Sequence, residues 1–453
     1  MDTAGVQTAV SLRRANPFFH RGPIRDPAYF YGRQPETGLL LNLVRNAQSV
    51  SVLGQRRIGK SSFVLHAANP LVLQPHGLNA EQFCFIYVDC QGRGGLTEDE
   101  LCALLRQGLG RELKTRALWD EPGGDDYRSD LYDLEDYLAK ATQAGFRPVF
   151  AFDEFEAIAA SRNLTPDFFS SLRRIVTGYP IAIITVTKDP LSMLSDTRES
   201  VLSSPFFNIF QSLSLGLLTA EEAGTLLQGL AAKGGLRFAQ ATLDFVSDLG
   251  GGNPLLLQLA AFYAFEQIAG QADALSAADY YLVRERFWTT AVQHFEYYWS
   301  HLDDEARYAL ATLPLMSGSG NRALETLARE SLIVRRRPRY DYFSSAFRDF
   351  VRTQKVPGLV NAGLFVVDHQ QRAIMLDGRS LDLTKTEYTL LMYLLQRGGE
   401  VVTYAELEEK VWGDAFSGDP ERLKAAIKHL RQALGEYSDT IANVRGVGYQ
   451  FQP

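Results

Sequence analysis

Cysteine is scarce in this chain, with 3 among 453 residues. Cys84, Cys90 and Cys102 are too few for a disulfide framework, and none stands in a metal-ligand spacing. Cys84 and Cys90 bracket an apolar run, which predicts buried thiols and a reducing, cytoplasmic setting. No apolar run approaches the ~20 residues that cross a bilayer, so no membrane partner is expected. Met1 to Ala15 holds two arginines but no apolar core of signal-peptide length. Repeats at solenoid or propeller periods and low-complexity tracts are missing too. Positive charge is in deficit: 46 Lys and Arg against 53 Asp and Glu leave a net charge of −7. That balance excludes a chain coated in nucleic acid but leaves room for a local basic surface. What remains, 46% hydrophobic and 22% charged, is the composition of a folded globular protein. The length predicts about three domains.

Between Gln48 and Val186, short apolar runs alternate with longer helical stretches. Strands are expected at Ser49–Leu53, Phe83–Asp89, 148–153 and 181–187. Continuous apolar runs with helices between them predict a parallel sheet covered on both faces. From Thr219 to Trp299 helical periodicity takes over. Asp303 to Arg352 reads as a smaller unit, two helical stretches followed by short apolar runs at 332–334 and 340–343 around a basic turn. Thr353 to Ala362, with Pro357 and Gly358, reads as a linker. The expected divisions are 1–215, 216–300, 301–353, a linker at 354–362, and 363–453.

Gly54-Gln55-Arg56-Arg57-Ile58-Gly59-Lys60-Ser61 fits G-x-x-x-x-G-K-[ST], after a strand and before the helical run from Ser62. Glycines in such a loop let backbone amides turn inward around phosphate oxygens, and the helix N-terminus adds its dipole. Lys60 is the candidate for the β- and γ-phosphates, and the Ser61 hydroxyl for Mg²⁺. The run from Val149 ends in Asp153-Glu154, at the strand tip where open α/β sheets bind ligands. Asp153 is the second candidate for Mg²⁺, and Glu154 the candidate for polarising an attacking water.

With these motifs the chain resembles the STAND branch of the AAA+ ATPases. Tyr31-Gly32-Arg33-Gln34-Pro35-Glu36 looks like that family's G-R-x-x-E segment. Asn16-Pro17-Phe18 with Arg21-Gly22-Pro23-Ile24 looks like the leader of one bacterial group, and Gly252-Asn253-Pro254-Leu255 like the G-x-P motif of a helical lid. The resemblance implies an α/β P-loop core, a helical lid and a small winged helix, with ATP and Mg²⁺ bound. It implies that Gly32 and Arg33 lie near the adenine and that Pro254 touches the base. Thr187-Lys188 falls at the sensor position, where many members carry Thr-Arg, so Lys188 is a departure. Arg335-Arg336-Arg337-Pro338-Arg339 reads as the tip of a hairpin wing: a solvated turn, a phosphate contact, or a contact locking a closed state.

The last domain opens with alternating apolar and polar residues around Asp377-Gly378, a hairpin signal. Thr384-x-x-Glu387 and Thr403-x-x-Glu406 read as capping boxes of two helices. A third helix has Asp419 as N-cap, Pro420 at its first position and Gly435 as its stop. Leu423, Ile427, Leu430 and Leu434 share one face of it. The opposite side presents Arg422, Ala425, Lys428, His429 and Gln432, flanked by Lys424 and Arg431. A terminal hairpin carries Arg445 between Val444 and Gly446. Val411-Trp412-Gly413 and Val444-Arg445-Gly446-Val447-Gly448-Tyr449 make this α+β domain resemble the OmpR/PhoB-type winged helix of bacterial response regulators. That resemblance implies double-stranded DNA as partner, with the third helix in the major groove and Arg445 in the wing. Ala433 stands where lysine is common.

Together the two resemblances imply a nucleotide-switched transcriptional regulator, in which ATP favours an oligomer, slow hydrolysis resets the switch and an upstream protein supplies the signal. The alternatives are a partner-driven or defence ATPase that uses the winged helix for protein docking, and a DNA-stimulated ATPase of mobile-element type.

Overall fold

The computed structural model describes residues 15–18, 22–115, 129–192, 205–268, 275–316, 321–336, 339–369, 371–377, 379–413 and 420–452. The chain divides into two compact units, Met1–Ala291 and Val292–Pro453. The first is built on a sheet of β1 (Ser49–Leu53), β2 (Phe83–Asp89), β3 (Arg147–Asp153), β4 (Ala182–Thr187) and β5 (Phe210–Ser214), in the order β2-β3-β4-β1-β5. Every pairing in it is parallel. Side chains alternate between its faces, as the pleat requires. Val50, Val52, Val149, Ala151 and Ile184 pack beneath Leu40, Leu41, Phe63 and Val64 of the helices Gln34–Arg45 and Lys60–Ala67. Cys84, Ile86, Phe150, Phe152 and Ile183 face Leu101, Leu105, Leu134, Leu138, Phe169 and Leu172 of the helices Glu98–Thr115, Leu131–Gln143 and Pro166–Gly178. Each large side chain buried this way contributes ~1.5–3 kcal/mol. The result is the α/β architecture expected from the alternation. All three cysteines are buried thiols, and burial pushes Cys90 and Cys102 up to about 12.

Three lid helices follow β5: Ala220–Lys233, Gln240–Gly250 and Pro254–Ile268. The last two cross closely, because a Cβ on Gly250 would meet the Leu257 backbone nitrogen at 2.7 Å. The leader residue Phe18 is fully buried and stacks on Phe238 with ring centroids 5.5 Å apart. Asn16 donates to the Phe262 carbonyl at 3.0 Å, so this segment is fastened to the lid. Arg21 of the same leader lies outside the described residues.

In the second unit, the last turns of the helix Ala277–Ser300 bring Phe295 against Phe347 and Phe350, on the helix Ser345–Thr353. The hairpin of β6 (Ile333–Arg336) and β7 (Arg339–Tyr342) carries the basic turn. Arg336 pairs with Asp341 at 3.6 Å while largely exposed, a contact worth little; Arg337 and Pro338 lie outside the described residues. The segment expected to be a linker differs from that reading. Pro357 and Gly358 mark only a turn, and Leu359–Ala362 forms β8, the edge of a four-stranded sheet with β9 (Phe365–Asp368), β10 (Ala373–Leu376) and β11 (Arg379–Ser380). Leu376 pairs with Arg379 across Asp377, whose φ is 44°, in keeping with the tight turn expected there; Gly378 lies outside the described residues. A three-stranded sheet of β12 (Val401–Thr403), β13 (Ile441–Val444) and β14 (Gly448–Phe451), in the order β12-β14-β13, closes the domain.

The capping box of Thr384 and Glu387 is present. The second box is half formed. Thr403 caps its helix, but Glu406 turns to the Tyr393 hydroxyl at 2.8 Å and to Arg397 at 3.5 Å.

Polar contacts fasten this domain to the small helical unit before it. The Tyr308 hydroxyl donates to Asp368 at 2.5 Å, and Asp368 is fully buried. Burial first, then this hydrogen bond, pushes Tyr308 up to about 12. Arg352 pairs with Asp377 at 3.0 Å, and Asn361 donates to the Arg352 carbonyl at 2.8 Å. Asp368→Ala would strand the Tyr308 hydroxyl and the Gln371 N–H that Asp368 also accepts. The expected cost is ~1–3 kcal/mol. Calorimetry of the full chain should show the lowered transition, and an unchanged melting profile would remove this contact from the list of fastenings.

Candidate functional site

The loop after β1 closes over the start of the helix Lys60–Ala67. Gly54 is pressed against its neighbour: a Cβ there would meet the Leu215 carbonyl oxygen at 2.7 Å. Gly59, at φ 99°, has open space beside it, and Arg57 also adopts a left-handed φ of 68°. Gln55 and Ile58 are buried and anchor the loop, whereas Arg56 and Arg57 are exposed. The Lys60 amine donates to the carbonyls of Gly54 at 2.7 Å and Gln55 at 3.2 Å. Burial lowers its pKa, against the opposing pull of Glu154, Glu156 and Asp153. The loop thus offers amides, a helix start and a largely desolvated cation, the chemistry that receives an anion.

The acidic tip of β3 lies beside it. Asp153 is buried and accepts the backbone N–H of Glu154 on Oδ1 at 3.1 Å and the Tyr87 hydroxyl on Oδ2. Ser61 stands in the first turn of the helix Lys60–Ala67 and lines the cleft, and Asp153 is the last residue of β3. A hydroxyl and a carboxylate are hard oxygen donors of the kind that suit Mg²⁺, which keeps several waters and needs few protein ligands. Among the described residues no group of three His, Cys, Asp or Glu could hold a metal by itself. Glu154 is exposed and has a φ of 52°, a strained backbone for a side chain of its kind. Lys188 follows β4, and its N–H donates to the Glu156 carboxylate. Burial pushes the Glu156 carboxyl up, with one oxygen unpartnered.

A cleft of about 300 Å³ joins these groups to the lid. Arg56, Arg57, Ile58, Gly59, Lys60, Ser61, Ser62, Gln91 and Glu154 line it together with Ile24, Tyr29, Tyr31, Leu218, Leu226 and Pro254. Pro254 stands among these lining residues. Arg33 lines the cleft too, but its guanidinium donates to the Gly216 carbonyl and pairs with Glu36 at 3.3 Å. Its N–H donates to Glu222 at 2.6 Å, so Arg33 ties the entry segment to the lid. A Cβ on Gly32 would come within 3.0 Å of the same carboxylate. Burial works against the charge on Glu222, and N–H donors from Arg33 and Thr219 outweigh it and lower its pKa.

Sequence reading passed over Tyr87, Gln91 and Glu156. The available signal was the strand β2 itself. Its residues pair in register with β3 from Phe83↔Arg147 to Asp89↔Asp153. A tyrosine two positions before that tip lies on the same face as Asp153, within reach of its carboxylate.

In the last domain the helix Pro420–Leu434 buries Leu423, Ile427, Leu430 and Leu434, as the periodicity predicts. Its N-cap, Asp419, lies outside the described residues. Arg422, Lys424, Ala425, Lys428, His429 and Gln432 are exposed. Arg422 lies over the Trp412 ring at 4.4 Å, and Lys424 pairs with Glu421 at 2.8 Å. Arg431 differs from the expected reader. It is half-buried, donates to the Ile441 carbonyl at 2.6 Å and lies over the Tyr449 ring at 5.9 Å. It fastens helix to hairpin. Arg445 is exposed in the turn between β13 and β14.

A parallel sheet with a glycine loop at one strand end, an acidic tip beside it and a helical lid defines a P-loop NTPase, here followed by a winged helix. Residues 39–313, more than half of the chain, match the family described as Novel STAND NTPase 2, and the chain belongs to that family. Residues 378–451 match the family described as Transcriptional regulatory protein, C terminal. Sensory transduction protein RegX3 of Mycolicibacterium smegmatis is 31% identical over 98 residues, which are 21% of this chain and 43% of that protein. The uncharacterized transcriptional regulatory protein YclJ of Bacillus subtilis is 35% identical over 95 residues, 20% of this chain and 42% of that protein. The chain spans about half the length of the curated relatives it matches. A Walker-type ATPase of Pyrococcus abyssi shares the fold, with a TM-score of 0.53 at 16% identity, covering 74% of this chain and 99% of that one. Among the described residues no helix is long and apolar enough to cross a membrane.

Arg431→Ala should lower the stability of the last domain by ~1–2 kcal/mol before any ligand is added, since a charged hydrogen bond and a ring contact are lost together. Chemical denaturation of the full chain measures this. Unchanged stability would return Arg431 to the set of outward-facing cations.

Proposed function

We propose that this protein is an ATP-binding, DNA-binding regulator whose nucleotide state governs how it engages DNA. The observation that carries this reading is the presence in one chain of two built surfaces. One is a loop presenting Lys60 and Ser61 beside Asp153 and Glu154. The other is an exposed helix face with Lys424, Lys428, His429 and Gln432, near a hairpin turn bearing Arg445.

In this reading the nucleotide enters the cleft with its base at Tyr31, Leu226 and Pro254 and its phosphates in the loop from Gly54 to Ser62. Lys60 gives up its carbonyl contacts and turns to the β- and γ-phosphates. Ser61 and Asp153 would hold Mg²⁺, which neutralises phosphate charge when bound. Glu154 orients a water in line with the γ-phosphorus and takes its proton as the phosphoryl bond to the leaving ADP breaks. The backbone of Glu154 is held in a strained turn, which sets the direction in which its side chain leaves the chain. Lys188 and Glu156 couple the end of β4 to this loop, a route by which the γ-phosphate is sensed. Turnover is slow and resets the switch.

The ATP state favours an open, self-associating form and the ADP state a closed one. Association sets several winged helices on adjacent half-sites, so avidity makes up for the modest charge of each. Lys428 and His429 lie toward base edges in the major groove, and Arg445 toward the backbone or the minor groove. The signal comes from an upstream protein or from the nucleotide ratio in the cytoplasm.

Genomic DNA captured on the protein with an ATP analogue and, in parallel, with ADP, then sequenced, tests the whole reading. A defined set of sites enriched in the ATP arm is expected. Capture of a protein partner with no DNA enrichment in either arm would replace DNA binding by docking.

Glu154→Gln should retain nucleotide, slow hydrolysis by ~10²-fold or more, and prolong the associated state. Light scattering after addition of ATP is the readout. Identical monomers for mutant and wild type would end the assembly model. In salt titrations against cognate and scrambled duplexes, Lys428→Ala should cost ~1–3 kcal/mol at the cognate site alone. Loss of a backbone contact at Arg445 should weaken all duplexes and lower the salt slope by about one. Equal losses on both duplexes for Lys428→Ala would show that it reads no base.

A further inference from the structure

Tyr87 is a polar-tipped residue within the apolar run Phe83–Val88, half-buried beside Phe83, Phe85 and the helix Lys60–Ala67. Packing alone would be served by phenylalanine at this position, so the hydroxyl needs a separate account. That hydroxyl donates to Asp153 Oδ2, leaving Oδ1 to the Glu154 N–H. The phenol oxygen therefore bonds directly to the carboxylate that ends β3.

We propose that Tyr87 is the positioning residue of the metal end of this site, orienting the Asp153 carboxylate by a direct hydrogen bond. The inference rests on the nucleotide reading above and adds a residue that its motifs do not contain. A carboxylate has about four lone-pair directions. With one on Oδ2 given to Tyr87 and one on Oδ1 given to the Glu154 N–H, those remaining are restricted in direction. Partners of this kind, one step removed from a metal, commonly set 10–100-fold in metal affinity.

The test is equilibrium binding of a fluorescent ATP analogue to the full chain, in excess EDTA and across a Mg²⁺ titration. Wild type, Tyr87→Phe and Tyr87→His are compared, with Lys60→Ala as the non-binding control. Tyr87→Phe should bind the metal-free analogue as wild type does. Its half-saturating Mg²⁺ should rise about 10-fold or more. Tyr87→His, which restores a ring donor, should fall between and provides a second variant should the first be poorly folded. Equal Mg²⁺ dependence in wild type, Tyr87→Phe and Tyr87→His overturns the proposal, as does a loss in Tyr87→Phe that is the same with and without metal. Failure of wild type to bind the analogue at any Mg²⁺ concentration is a different outcome: it overturns the nucleotide reading itself.

Discussion

Parallel pairing places strand ends of the same sense at one edge of a sheet, and in the first unit that geometry decides where chemistry can occur. β1 ends at Leu53 opposite Thr187 of β4 and Ser214 of β5, and β2 ends at Asp89 opposite Asp153 of β3. The glycine loop, the acidic tip, Lys188 and Tyr87 are far apart in the chain, yet each stands at or near a carboxyl end. An antiparallel neighbour at any of these places would send the tip to the opposite edge. Hydrogen-bonding direction thus comes before any particular side chain in assembling the site.

At that edge burial and charge oppose each other. Lys60 is desolvated, which lowers its pKa, while Asp153, Glu154 and Glu156 favour its charged form. Glu156 feels the converse, burial raising its carboxyl against the pull of Lys60 and the Lys188 N–H. Neither charge is well solvated, so each depends on the other and on whatever anion enters. Lys60 meets its hydrogen-bonding need on the Gly54 and Gln55 carbonyls. Neutral carbonyls are weaker partners for an ammonium than a phosphate oxygen is, and the contact is therefore exchangeable.

The parts of this fold that could be read from sequence are those where one local rule dominates. The strands at Ser49–Leu53 and Phe83–Asp89, the box of Thr384 and Glu387, and the apolar stripe from Leu423 to Leu434 follow from period, capping chemistry and burial. β5 escaped because it is an edge strand in which only Leu213 is buried. β8 escaped because Pro357 and Gly358 announce a turn and say nothing of the strand after it. The candidate residues placed by motif stand where backbone geometry puts them. Arg33 and Arg431 show the limit of that method: a cation's position can be read from sequence, but whether Gly216 or Ile441 claims its donors depends on chain 183 or 10 residues away. Tyr87 was visible only as a pairing, since its role exists once Asp89 and Asp153 are known to lie side by side.

In the second unit the same dependence on pairing changes how the winged helix is held. A domain on a flexible tether explores orientations freely, and its effective concentration at a second site falls with tether length. Here β8 takes up residues that would otherwise be tether, pairing from Leu359↔Asp368 to Ala362↔Phe365. Asp368 at the end of that ladder is buried and accepts from Tyr308, while Arg352, at the end of the preceding helix, reaches Asp377 at the next turn. The contacts therefore sit at both ends of the sheet, and turning the domain requires breaking a buried charge-assisted hydrogen bond and an ion pair together. A rigid junction of this kind passes a rotation of the small helical unit directly to the face bearing Lys428 and His429. A flexible one would absorb it. In the nucleotide-switched reading, this is how a change in the helical unit could redirect the helix without altering any residue on the helix itself.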